Sequence, residues 1–173
     1  MPPHCDSLDG PVVRAAREAL EQEDVDLVLP YVYAEGEEEL RAAFDLVAKA
    51  RQQGPEAREV ADRFIFETAV RVHRAGEGAP YTGLKPAGLD VGPVIPIAES
   101  AIEEDSPERL IEFFLGAVQA EIAERFQLMQ QARVHKGEGT EEARAYVNAM
   151  LGLEVWAHKL YVGLTSARVH EAR

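Results

Sequence analysis

The sequence has little cysteine, a deficit of basic residues and no long apolar run, and each shortage excludes a class of protein. Its single cysteine, Cys5, excludes a disulfide scaffold and any zinc motif built on CxxC. Its 18 basic residues face 31 acidic ones, a formal net charge of −13. That balance argues against nucleic-acid or anionic-membrane partners, because both need clustered basic residues. No apolar stretch approaches the roughly 20 residues of a spanning helix.

What is present is the composition of a globular protein. The chain has 173 residues, of which 46% are hydrophobic and 28% charged. That length and composition predict one domain over residues 1–173 with a well-formed core. Met1-Pro2-Pro3 lacks the charged and apolar regions of a signal peptide. We therefore expect a soluble, cytoplasmic protein.

Apolar residues recur at helical spacing along almost the whole chain, which predicts an all-α bundle of about seven to eight helices. Helix starts are predicted at Pro11 and Pro55, where proline suits the first turn, and at Thr140. The helix that begins at Pro55 is expected to end near Gly76. The longest helix is predicted to follow Ser106-Pro107, with Ser106 as its N-cap.

Further evidence for helices comes from an internal repeat at an offset of 82 residues. Gly10-Pro11-Val12 falls on Gly92-Pro93-Val94, and Asp24 falls on Ser106. Residues 25–29 have strand propensity, but the repeat favours a helix that begins at Asp24 and is kinked by Pro30. The alternative is that amphipathic helices resemble one another by chance.

At an offset of 85 residues the repeat continues, and it places His73 on His158. We therefore predict two pseudo-twofold-related halves, about 8–75 and 90–160. Counterparts in the two halves should then have the same environment. The pairs to compare are Val12 with Val94, Ala16 with Ala98, and Leu20 with Ile102.

A glycine-rich loop at residues 76–92 connects the two predicted halves. It contains Glu77, Tyr81, Lys85 and Asp90, which a featureless linker would lack. Long loops in compact domains are commonly functional. The alternative is an ordered connector that covers the core with Tyr81 and Leu84.

The residues before the loop and at the amino terminus carry the candidate chemistry. His4 and Cys5 supply an imidazole and a thiolate, donors that suit nickel, copper, zinc or iron. His73 and Arg74 end the predicted helix before the loop, where cations are favoured by the helix dipole. Arg74 also shares a helix face with Glu67 and Arg71, an arrangement typical of a solvated ion-pair stripe.

Two stretches, HCDSLDGPVV (His4 to Val13) and HRAGEGAPYTGLKPAGLDVGP (His73 to Pro93), resemble a bacterial family of unknown function. The similarity runs from His4 to about Tyr161. In exported relatives, HCDSLDGPV directly follows a cleaved signal peptide. The resemblance implies that the two motifs contain site residues, and it implies no particular activity.

The opening also resembles, over three residues, the amino-terminal hook of nickel superoxide dismutase. His4 and Cys5 match that hook, but its second cysteine is replaced here by Asp9. Met1 to Pro3 also precede His4, so we expect that His4 has no free amine. The resemblance adds to the metal hypothesis without implying dismutase activity.

Three hypotheses follow for function. The first is a metal-dependent protein, redox or hydrolytic, that binds the ion through the set His4, Cys5, His73, Glu77 and His158. The second is a metal-free module that holds a small anionic ligand under the glycine-rich loop. Its ligand-binding residues would be Arg74, Tyr81, Lys85 and Asp90, with the amides at the Gly92-Pro93 helix start. The third is a structural or homo-oligomeric bundle without a ligand.

Overall fold

The computed structural model describes residues 3–166, and within them the fold is all-α, as predicted. That range holds six α-helices, four short 3-10 helices and no strand; an isolated β-bridge joins Ser7 and Lys85. The chain forms two compact units, Met1–Gly92 and Pro93–Arg173. No helix of residues 3–166 combines the length and the apolar character needed to cross a bilayer.

The first unit is built on three α-helices: α1 (Pro11–Gln22), α2 (Ala34–Ala50) and α3 (Pro55–Gly76). α1 and α2 each pack against α3. The starts at Pro11 and Pro55 and the end at Gly76 agree with the predictions. The core is formed by buried apolar side chains from all three helices, among them Val12, Val13, Ala16, Leu40, Val47, Ile65 and Val70.

Four 3-10 helices complete the first unit: Pro3–Asp6, Val25–Leu27, Leu29–Tyr31 and Arg51–Gln53. The kinked α-helix predicted from Asp24 is therefore wrong, although the Asp24 side chain does cap the first turn by accepting from Asp26 N at 3.0 Å. Pro30 has no N–H to continue an α-helical ladder, and the chain turns there instead.

The second unit contains α4 (Val94–Glu103), α5 (Glu108–His135) and α6 (Thr140–Ser166). The short connection at residues 136–139 makes α5 and α6 a helical hairpin. The start at Thr140 agrees with the prediction. The predicted cap at Ser106 is wrong, because Pro107 holds the cap position and the Ser106 hydroxyl bonds the Glu108 carboxylate.

Burial differs between the two units. None of the three helices in the second unit has a buried residue. Val94 and Ala98 are only partly buried, whereas Val12 and Ala16 are fully buried. Leu20 is 4% exposed and its counterpart Ile102 is 79% exposed. The expectation of matching environments is therefore wrong, and the repeat itself, like the single-domain organisation, stays a prediction.

Candidate functional site

The amino-terminal segment and the glycine-rich loop are joined in the first unit by backbone hydrogen bonds. Leu8 N donates to Lys85 O at 3.0 Å, and Lys85 N donates to Asp6 O at 2.8 Å. Tyr81 and Leu84 pack against the core. The loop is thus the ordered connector that was one of its two predicted forms. We call this pairing of residues 6–8 with residue 85 the clasp.

A side-chain contact reinforces the clasp beside Lys85. The Asp9 carboxylate accepts a hydrogen bond from Gly88 N at 2.7 Å. This bond, with a smaller contribution from the Ser7 hydroxyl, holds the pKa of Asp9 below its ordinary value of 3.8. Gly88 has a φ of 74°, a left-handed conformation that favours glycine.

Behind the clasp lies a buried charge cluster around Arg74. Its Nε donates to Asp6 Oδ1 at 2.6 Å and its Nη1 donates to Glu77 Oε2 at 2.9 Å. All three side chains are no more than 7% exposed. The hydrogen bond to Asp6, opposed by burial and aided by the charge of Glu77, raises the pKa of Arg74. The solvated stripe expected for Arg74 is therefore wrong.

His73 is positioned beside this cluster by the last turn of α3. Its Nδ1 lies 2.7 Å from the carbonyl oxygen of Tyr31. Because a carbonyl only accepts, Nδ1 carries a hydrogen and donates. Nε2 lies 3.3 Å from Glu77 Oε1, without the alignment of a hydrogen bond. The two side chains are 13% and 7% exposed, so the pair is largely shielded from water.

His4 and Cys5 lie on the Pro3–Asp6 helix, next to the residue that pairs with Arg74. His4 Nε2 is 3.7 Å from Cys5 Sγ, and His4 Nδ1 is buried without a hydrogen-bond partner. Both residues are half-buried. In residues 3–166, no three His, Cys, Asp or Glu side chains are arranged to hold a metal ion.

Of the remaining predicted site residues, Lys85 and Asp90 are hydrogen-bonded within the loop, and His158 lies in the second unit. The Lys85 ammonium donates to Thr82 O at 3.0 Å, and Asp90 accepts from Gly92 N at 2.8 Å. Burial raises the pKa of Tyr81, and the charge of Glu67 adds to this. His158 is exposed on α6 of the second unit. Arg74 and Lys85 thus have partners within the chain, whereas the buried Tyr81 hydroxyl has no hydrogen-bond partner. The anion hypothesis stays a prediction.

One residue of the cluster, Asp6, was not among the predicted site residues. Its partner Arg74 is 68 positions away, so no local spacing relates the two. The signal that could have found it was its place inside HCDSLDGPVV, beside His4 and Cys5.

A comparison with protein families gives one match. The model of a family of unknown function (DUF6448) matches residues 9–156. No curated protein and no solved structure matches the chain.

Proposed function

Because the chain belongs to this family of unknown function, DUF6448, we propose its function from geometry: it binds a borderline transition metal ion at His73 and Glu77. His4 and Cys5 would supply the further ligands. The nitrogen, sulfur and oxygen donors of this set suit nickel, copper, zinc or iron.

The observation that carries the proposal is the face-to-face arrangement of two acceptors. Because Nδ1 carries a hydrogen, Nε2 is the ring atom of His73 that can present a lone pair to a cation. Nε2 lies 3.3 Å from the carboxylate oxygen Oε1 of Glu77. Either a proton or a cation must lie there to make the contact favourable. A tetrahedral ion with bonds of about 2.1 Å would have ligand edges of about 3.4 Å.

The groups around this pair resemble the outer shell that metal ligands require. The carbonyl of Tyr31 fixes the tautomer and orientation of His73. Arg74 holds the second oxygen of Glu77 and is itself held by Asp6. The pair is therefore preorganised by contacts that do not use its free atoms.

Two ligands are too few for a stable site, and the neighbouring Pro3–Asp6 helix offers two more. His4 Nδ1 is buried and unbonded, and the Cys5 thiol lies next to the His4 ring. Metal binding would require these side chains to turn toward the pair, because the present arrangement does not gather three ligands. His158 is not needed for this site, and its role stays a prediction.

Metal titration of tag-free protein tests the proposal. Wild-type protein, stripped with chelator and titrated with zinc or nickel, should bind close to one ion per chain by calorimetry and elemental analysis. His73→Ala should lose that binding, because it removes the preorganised nitrogen. Circular dichroism of each variant checks that the helices are retained.

The chain offers a matched control in His135. His135 Nδ1 lies 2.7 Å from Glu138 Oε1, but both side chains are about 60% exposed, at the end of α5 and in the connection that follows it. His135→Ala should bind metal as the wild type does. Equal binding by His73→Ala and His135→Ala, or no binding by the wild type, would contradict the proposal.

A further inference from the structure

The second unit exposes apolar side chains at positions whose counterparts form the core of the first unit. At the offset of 82 residues, three buried residues correspond to exposed ones. The exposed fraction rises from 4% at Leu20 to 79% at Ile102, from 0% at Leu40 to 45% at Ile122, and from 7% at Phe44 to 45% at Phe126.

The same relationship holds between α3 and α6 at the offset of 85. Phe66 is 7% exposed and lies under the Arg17 guanidinium of α1, while its counterpart Leu151 is 44% exposed. Val70 is fully buried, and its counterpart Val155 is 47% exposed. The face of α6 that corresponds to the α1-covered face of α3 is therefore uncovered.

The uncovered face of α6 corresponds to the face of α3 on which α1 packs. In the first unit α1 packs along α3. Within residues 93–166, α4 contacts α5 and α5 contacts α6, but α4 and α6 have no packing of that extent. The second unit therefore lacks the interface that would bury Leu151 and Val155.

The two units differ in helix packing because the segment between their first two helices differs. In the first unit, residues 25–31 turn through two 3-10 helices, the second of which has Pro30 at its centre, and α1 packs on α3. Their counterparts, residues 107–113, form the start of the continuous helix α5. Glu112 replaces Pro30 there, so nothing interrupts the helix and α4 is carried away from α6.

We propose that a second copy of this chain closes the second unit, with α4 of each copy packed on α6 of the other. Identical chains can exchange an element when a contact that one chain could make within itself is made between two copies instead. The contact formed between copies would reproduce, with counterpart residues, the α1–α3 contact of the first unit. This proposal is independent of the proposed metal site, which lies in the first unit.

The uncovered surface is large enough for such a dimer. More than a dozen large apolar side chains within residues 93–166 are over 40% exposed. They amount to apolar surface on the order of 1,000 Å². Each partner of a standard interface contributes about 800 Å², so these side chains can supply enough apolar surface for one. The second-unit counterparts of the first unit's core residues include one acidic residue. It is Glu154, the counterpart of Ala69, and it lies four residues before His158.

Light scattering after size-exclusion chromatography tests the exchange. The full chain should have twice its mass of 19.1 kDa over a wide dilution series. Phe126→Glu should raise the dissociation constant by about 100-fold or more, because a carboxylate would be buried without a partner. Leu128→Glu is the control: Leu128 is 53% exposed, and its counterpart Leu46 is 61% exposed and outside the core. It should remain a dimer.

A second variant tests the hinge directly. Glu112→Pro places proline where the first unit has Pro30, so α4 can fold back onto its own α6. It should be a folded monomer, while Glu112→Ala should remain a dimer. A monomeric wild type, a dimer unaffected by Phe126→Glu, or a dimer of Glu112→Pro with full helicity would overturn the proposal.

Discussion

Arg74 and Asp6 are 68 positions apart, yet Nε of the guanidinium donates to the carboxylate across 2.6 Å, with both side chains buried. The pair joins the last turn of α3 to the amino-terminal segment. Removing one member of a buried pair leaves a charge without compensation, which costs far more than losing a surface pair.

Asp6→Ala should therefore lower the free energy of unfolding by about 3–5 kcal/mol, because Arg74 keeps only Glu77 as a partner. Urea denaturation at neutral pH measures the change. Asp26→Ala is the control, since its pair with Arg41 has a similar distance of 2.8 Å but is exposed. That variant should lose less than about 1 kcal/mol. Equal losses in the two variants would show that Arg74 does not need Asp6.

Acid should weaken the clasp through Asp9. Its pKa is held below the ordinary 3.8, chiefly by the hydrogen bond from Gly88 N. A carboxyl group with a lowered folded-state pKa contributes stability above its unfolded value, and that contribution is lost as the pH falls through the folded value. The free energy of unfolding should therefore fall less between neutral pH and a pH below 3.8 in Asp9→Asn than in the wild type. A full set of unfolding curves against pH checks this, and identical pH profiles for the two proteins would refute it.

Glycine should have opposite roles at two helical positions. A Cβ at Gly36 would lie 2.0 Å from Cγ1 of Val72, a buried residue of α3. Gly36→Ala should therefore cost about 1–3 kcal/mol, because α2 and α3 must shift apart. A Cβ at Gly116, inside α5, meets no atom within 4 Å. Gly116→Ala should stabilise by up to about 1 kcal/mol through helix propensity. Thermal unfolding of both variants measures the signs, and a shared sign would contradict this explanation.

Alkylation of Cys5 should report metal binding by the first unit. Zinc added to chelator-treated protein should slow the reaction of Cys5 with iodoacetamide, because a bound thiolate is no longer free to attack. In His73→Ala the protection should be lost, since the pair that recruits the ion is incomplete. Mass spectrometry after timed quenching measures the rate. Protection that persists in His73→Ala would place the ion away from His73.

The sequence predicted those parts of the fold that depend on neighbouring residues. Pro11, Pro55 and Thr140 start helices because proline and threonine suit the first turn or its boundary, whatever packs later. The prediction for the segment after Asp24 is wrong, because its counterpart is helical and Pro30, which has no equivalent there, turns the chain instead of kinking a helix. Sequence similarity did not carry over to burial.

The candidate site likewise contains one part that local spacing predicts and one part that depends on contacts between distant segments. His73 and Glu77 are four residues apart on one helix end, and spacing alone brings them together. Arg74 was expected in solvent because its helix face is polar. It is instead buried against Asp6 beside the clasp, a contact between distant segments that no periodicity reports.

The clasp also sets an order for folding during synthesis. It pairs residues 6–8 with residue 85, so it has one of the longest sequence separations in the first unit. Long-range pairings close late, because the chain between them must be ordered first. On the ribosome, α1, α2 and the whole of α3 are made before Lys85, so the clasp beside His4 and Cys5 cannot close until then. We expect that this segment is accessible to processing or metal delivery during translation and becomes enclosed only when the glycine-rich loop has emerged.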